Sequence, residues 1–142
     1  MRLKRTRLKR HYEIARDAGR EWRKDHSAKG GGNRTYALLV AVYRLGDAAI
    51  EGGRVRALQR LCSADPESSA DFYHLFRNVL VACGIADRRT RYKLGAVARW
   101  AYDSDFKWFD LECEVRAAGG LNACAACSSN RKKPDGQINS WL

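Results

Sequence analysis

Hydrophobic positions recur at steps of three and four residues along most of this chain, the spacing that turns one helical face inward. A first helix is predicted over residues 3–25, where Leu8, Tyr12, Ala15, Ala18 and Trp22 define one apolar stripe. Beside the stripe, Glu13, Asp17, Glu21 and Asp25 form one row and Arg16, Arg20 and Lys24 another, so that half of the helix can neutralise itself. Three glycines within residues 29–33 predict a flexible break. A wide apolar face follows over 35–50, with Tyr36, Leu38, Leu39, Val40, Val42, Tyr43 and Leu45, which predicts a central, largely buried helix. Gly52-Gly53 separates it from a short helix with Val55, Leu58, Leu61 and Cys62.

Asp65-Pro66 marks the next boundary, with Ser68 or Ser69 as a cap. Phe72, Phe76, Val79, Leu80 and Cys83 belong to the helix that follows, and Gly84 suits its C-terminal cap. Asp87 is placed to cap a helix through Tyr92, Leu94, Val97, Ala98, Trp100 and Ala101. Ser104 or Asp105 is expected to cap the last helix, which carries Phe106, Phe109, Cys113, Val115 and Ala117 and stops at Gly119-Gly120. The expected fold is all-α, a single-domain bundle of about five to six helices. Its expected divisions are a basic helix and glycine linker over 1–34, a helical core over 35–120 and a flexible C-terminal tail over 121–142.

At 142 residues and 45% apolar content the chain is long enough for one cored domain. No apolar run approaches the roughly 20 residues of a membrane span, and charges interrupt the N-terminus where a signal peptide would be apolar. Regular acids from Glu13 onward disfavour a mitochondrial presequence, so a cytoplasmic location is expected. Five cysteines, an odd number, do not suggest a disulfide framework.

Charge changes the picture most. Residues 1–34 hold 12 basic and 4 acidic side chains, whereas the other 108 hold 15 and 12, so most of the net +11 is N-terminal. No acid lies among Arg2, Lys4, Arg5, Arg7, Lys9 and Arg10, and their charge is expected to be available to an outside polyanion. Arg88, Arg89, Arg91 and Lys93 form a second group at a helix start, where positive charge opposes the macrodipole and a phosphate would relieve it. Arg54, Arg56 and Arg60 form a sparser third. Arg77 interrupts an apolar run, at an exposed edge or reaching toward a nucleic-acid groove. Cys124 and Cys127 have a zinc-knuckle spacing, but the second pair that tetrahedral zinc needs is missing, so neither metal nor cofactor is expected. Cys62 and Cys83 lie in apolar helical patterns and read as buried thiols. His11, His26 and His74 lie in unrelated contexts, and the acids from Asp103 to Glu114 follow one helix, so no catalytic constellation is predicted.

The middle of the chain resembles a known family. Arg56-Ala-Leu-Gln-Arg-Leu-Cys-Ser-Ala-Asp65 is similar to the Arg-rich short helix ending in Leu-x-x-Ala-Asp of the small, all-helical subunit of CRISPR–Cas effector complexes. Phe72-Tyr-His-Leu-Phe-Arg-Asn-Val-Leu80 resembles that family's His/Gln-Leu-x-Arg-Leu-Leu helix, and Lys93-Leu-Gly-Ala-Val-Ala-Arg-Trp100 its Arg-Leu-Leu-x-Asp-Leu-x-x-Trp segment. Leu45-Gly-Asp-Ala-Ala-Ile50 resembles its Leu-Gly-x-Ala-Leu lead-in, and the order holds over about residues 36–116. The glycine triplet and the cysteine-bearing tail have no counterpart there, which leaves a Cascade-type or a type IV subunit open.

The resemblance implies a non-catalytic subunit of an RNA-guided ribonucleoprotein, with guide RNA, target nucleic acid, backbone subunits and further copies of itself as partners, and no membrane. It also implies Arg56, Arg60 and Arg77 as backbone contacts. Charge alone adds Arg88, Arg89, Arg91, Lys93 and the N-terminal Arg2, Lys4, Arg5, Arg7, Lys9 and Arg10. The alternative is a DNA-binding regulator whose helix-turn-helix spans Cys83-Gly84 and Asp87, with Arg88 to Lys93 opening the recognition helix. A peripheral membrane role for residues 2–10 has only Leu3 and Leu8 as anchors.

Overall fold

The computed structural model describes residues 5–24, 33–62 and 72–132, with side chains described within 7–24, 33–62 and 75–127. The readings of Arg2, Lys4, the Arg5 side chain, the glycine triplet, Ser68, Ser69 and the tail beyond residue 132 lie outside the described residues. Among the described residues the fold is all-α and single-domain, with seven helices and no strand. They are α1 (Arg5–Lys24), α2 (Asn33–Glu51), α3 (Val55–Leu61), α4 (Phe72–Ala82), α5 (Arg88–Asp103), α6 (Leu111–Ala117) and α7 (Leu121–Lys132). A single 3₁₀ turn, Trp108–Asp110, precedes α6.

The wide apolar face makes α2 the central helix: Leu38, Leu39, Val42, Tyr43, Leu45 and Ala49 are all buried, and α1, α3, α4, α5 and α6 all pack against it. Tyr43 fits this interior because its hydroxyl donates to the Phe106 carbonyl at 2.8 Å, so its one polar group is satisfied.

Asp87 caps α5 as its position predicts, its carboxylate accepting from the Arg89 N–H at 3.2 Å. The expected cap at Ser104 or Asp105 is corrected by the structure. Those residues close α5 rather than open α6: Phe106 N–H bonds Ala101 and Asp105 N–H bonds Tyr102, with Asp105 at φ 62° in the position glycine usually takes. Aspartate tolerates that left-handed backbone better than most residues, so a cap-forming side chain serves the opposite helix end.

The flexible tail expected from residue 121 is corrected over 121–132, which form α7 with Leu121 and Cys124 buried. This helix packs on α5. Gly95, Ala96 and Ala98 of α5 and Ala123, Cys124 and Ala125 of α7 are small, which allows a close interhelical approach.

Helix α1 is held at several points along its length. Leu8, Ala15 and Gly19 are buried, the Tyr12 hydroxyl donates to the Leu61 carbonyl at 2.9 Å, and Trp22 Nε1 donates to Thr35 Oγ1 at 3.2 Å. The Arg23 guanidinium donates to the Cys83 carbonyl and lies where a Cβ on Gly84 would fall. A Cβ on Gly19 would stand 2.5 Å from the Cys83 carbonyl oxygen, so only glycine lets the two backbones come this close. We expect Gly19→Ala to destabilise the fold by about 1–3 kcal/mol, read as a lower midpoint in thermal unfolding followed by circular dichroism.

Candidate nucleic-acid interface

Burying Leu8 turns Lys9 toward α3, and a groove of about 400 Å³ opens between the two helices, lined by Leu8, Lys9, Arg54, Ala57, Arg60 and Leu61. A second hollow of about 450 Å³ continues along α3, lined by Arg54, Arg56 and Arg60 among others. Four cations thus share one concave surface, and no carboxylate lines it among the described residues. Arg54 is common to both hollows. Its Nε is buried with no hydrogen-bond partner, a donor left without an acceptor in the groove wall. Lys9 of the N-terminal group and the α3 arginines, separate in sequence, are therefore brought together in the fold.

The opposite flank of α1 is also basic. At about 100° per residue, Lys9, Arg10 and Arg7 follow one another around the side away from Leu8, and all three are exposed. His11 comes next and meets Arg44 of α2. Its pKa is held below the ordinary 6.5, first by burial and then by Arg44, Arg7 and Arg10. Burial is the larger cause, and the three arginines add to it in the same direction. Arg44 lies over the Trp108 ring, its guanidinium carbon 4.0 Å from the centroid.

Farther along α1 the expected self-neutralisation is present: Arg20 pairs with Asp17 at 2.7 Å and Lys24 with Glu21 at 3.1 Å. Lys9, Arg16 and Arg23 recur every seven residues and so share one side of the helix.

The second basic group lies at the far end, beyond Arg23. Arg88 and Arg89 are exposed and Lys93 is half-buried. Arg91 is engaged within the fold, where its guanidinium donates to the carbonyls of Ile85 at 2.9 Å and Ala86 at 2.8 Å and closes the α4–α5 turn. The helix start is already occupied by Asp87, whose pKa is lowered chiefly by the Thr90 hydroxyl. The chain thus supplies its own anion where a phosphate was expected. Arg77 is half-buried on α4 and is not a free cation.

Sequence reasoning missed Arg44 and passed over Arg54 as a site residue. The only signal for Arg44 is a cation inside a wide apolar pattern; for Arg54 it is membership of the sparser group. Burial pushes the Cys62 thiol up to about 12 and the Cys83 thiol to about 11, so both are protonated at neutral pH. Cys124 is buried while Cys113 and Cys127 are exposed, and no three His, Cys, Asp or Glu among the described residues converge as metal ligands would. No helix among the described residues is long and apolar enough to cross a membrane.

A histidine with a depressed pKa favours unfolding once protonated, so we expect stability to fall as pH drops through about 6.5 and below. Proton NMR should show His11 titrating below 6.5 and moving upward in Arg44→Gln, which removes the cation that lowers it most. Arg91→Ala should lower thermal stability, whereas Arg88→Ala should not, which separates the structural arginine from the exposed one.

No family model matches this sequence, and neither a curated protein nor a solved structure matches it.

Proposed function

We propose that this protein is a non-catalytic, sequence-independent nucleic-acid-binding subunit of a CRISPR RNA-guided effector ribonucleoprotein. It contacts phosphates through the groove between α1 and α3 and packs beside the backbone subunits and other copies of itself. The observation that carries the nucleic-acid part is the convergence of Lys9, Arg54, Arg56 and Arg60 on one concave surface without a lining carboxylate among the described residues. Such a surface displaces counterions from a polyanion and reads no bases. The effector assignment rests on the resemblance of residues 36–116 to the small helical subunits, with the all-α fold in keeping with it.

A helix-turn-helix regulator fits less well. Leu94, Gly95, Ala96, Val97 and Ala98 are buried in succession, so α5 is enclosed after Lys93 and only its first two turns could reach a major groove.

Replacing Lys9, Arg54 and Arg60 together with glutamine should weaken binding to RNA and DNA of any sequence. It should also reduce the slope of log affinity against log salt by about two to three. Unchanged affinity and slope in a folded variant would remove the groove from the interface. Capture of the tagged protein from its host, with sequencing of bound RNA and mass spectrometry of bound proteins, tests the assembly: repeat-spacer RNAs with filament-forming subunits support it. Recovery with a few discrete genomic DNA sites alone would replace it with the regulator.

A further inference from the structure

Phe109 is the most exposed of the large hydrophobic side chains described, at 64%. It is also firmly placed. Its ring packs perpendicular to Trp108, with centroids 5.5 Å apart, and Trp108 itself packs against the core. The 3₁₀ turn that carries both is closed by Asp110 N–H on the Lys107 carbonyl and anchored just before it by Tyr43 on Phe106. The other side of this small aromatic cluster is cationic, with Arg44 over Trp108 and His11 and Arg7 beyond it. Among nearby carboxylates, Glu112 is neutralised by Arg116 at 2.8 Å, Asp110 faces solvent beside Phe109, and Asp47, one turn beyond Arg44, shares the next hollow with Lys107.

We infer that Phe109, backed by Trp108 and Arg44, is a stacking platform for an unpaired nucleobase, so that the ligand crossing the N-terminal half of α1 is single-stranded. The inference rests on the nucleic-acid reading above and narrows it. From the groove, the cations continue as Lys9, Arg10 and Arg7 around α1 to His11 and Arg44, and the aromatic rings stand at the end of that arc. Phosphate-binding cations beside an exposed π-face match the alternation of phosphate and base in a single strand. A duplex keeps its base faces stacked inside and offers Phe109 nothing but phosphate and sugar. An apolar protein partner would suit Phe109 but not the excess positive charge around Arg44.

The test measures binding of the full chain, by fluorescence anisotropy, to three labelled probes of equal length: a single strand, a duplex and an abasic strand. Phe109→Ala should weaken binding to the single strand about fivefold or more, leaving the duplex and abasic affinities unchanged. Phe109→Trp should retain single-strand affinity. Because the ring is exposed, thermal unfolding of Phe109→Ala should match the parent protein. Unchanged single-strand affinity, or an equal loss on all three probes, would overturn the platform while leaving the phosphate groove standing. Failure of the parent protein to bind any probe would overturn the nucleic-acid reading and the platform together.

Discussion

Burial of one narrow stripe on α1 is the constraint on which the rest depends. The helix carries eight basic and three acidic side chains in twenty residues, and Glu13 is the first acid after Arg5, Arg7, Lys9 and Arg10. Even a segment of good helix formers is marginal alone, so its helical state rests on covering Leu8, Ala15 and Gly19. The tyrosine, tryptophan and arginine bonds to Leu61, Thr35 and Cys83 reach three different parts of the chain and fix its rotation. Rotation is what matters for function. With Leu8 inward, Lys9 must face α3, and Arg7 and His11 must face Arg44.

The same packing decides which charges are used internally and which are left over. Arg91 satisfies two turn carbonyls, Arg116 lies over Tyr36 and neutralises Glu112, and Arg23 closes the end of α4. In the groove Arg54 Nε is left unsatisfied, as are the Nε atoms of Arg77 and Arg91 elsewhere. A buried donor without an acceptor is costly, and an incoming phosphate oxygen is the group that would relieve it. The C-terminal end of α2 also carries acids: Asp47, Glu51 and Asp105 surround a hollow with Lys107, and Asp47 has its pKa raised by burial and then by Glu51.

Much of the fold was legible in the chain because helical periodicity is a local signal. The stripe from Leu8 to Trp22, the central helix through Leu39 and Tyr43, the Asp87 cap and the Gly84 stop all depend on residues within a turn or two of each other. The errors fall where local signals are ambiguous. Ser104 and Asp105 have the chemistry of an N-cap, yet the backbone uses Asp105 in the left-handed conformation at a helix end. Residues 121–127 are small and weakly amphipathic, so nothing along the chain shows that α5 offers them a close-fitting, small-residue face.

For the candidate site the division is sharper. The sequence by itself determined that positive charge accumulates at the N-terminus and that arginines cluster at and just before α3, because composition and spacing are properties of the chain. Only the tertiary structure decided that Lys9 meets the α3 arginines, that Arg44 stands beside the opposite flank of α1, and that Arg91 and Arg77 do not stand free. Lys9 and Arg60, far apart in the chain, share a groove only through the way α1 packs, and that packing is set by van der Waals fit at Gly19 and Cys83, which no pattern of charges records.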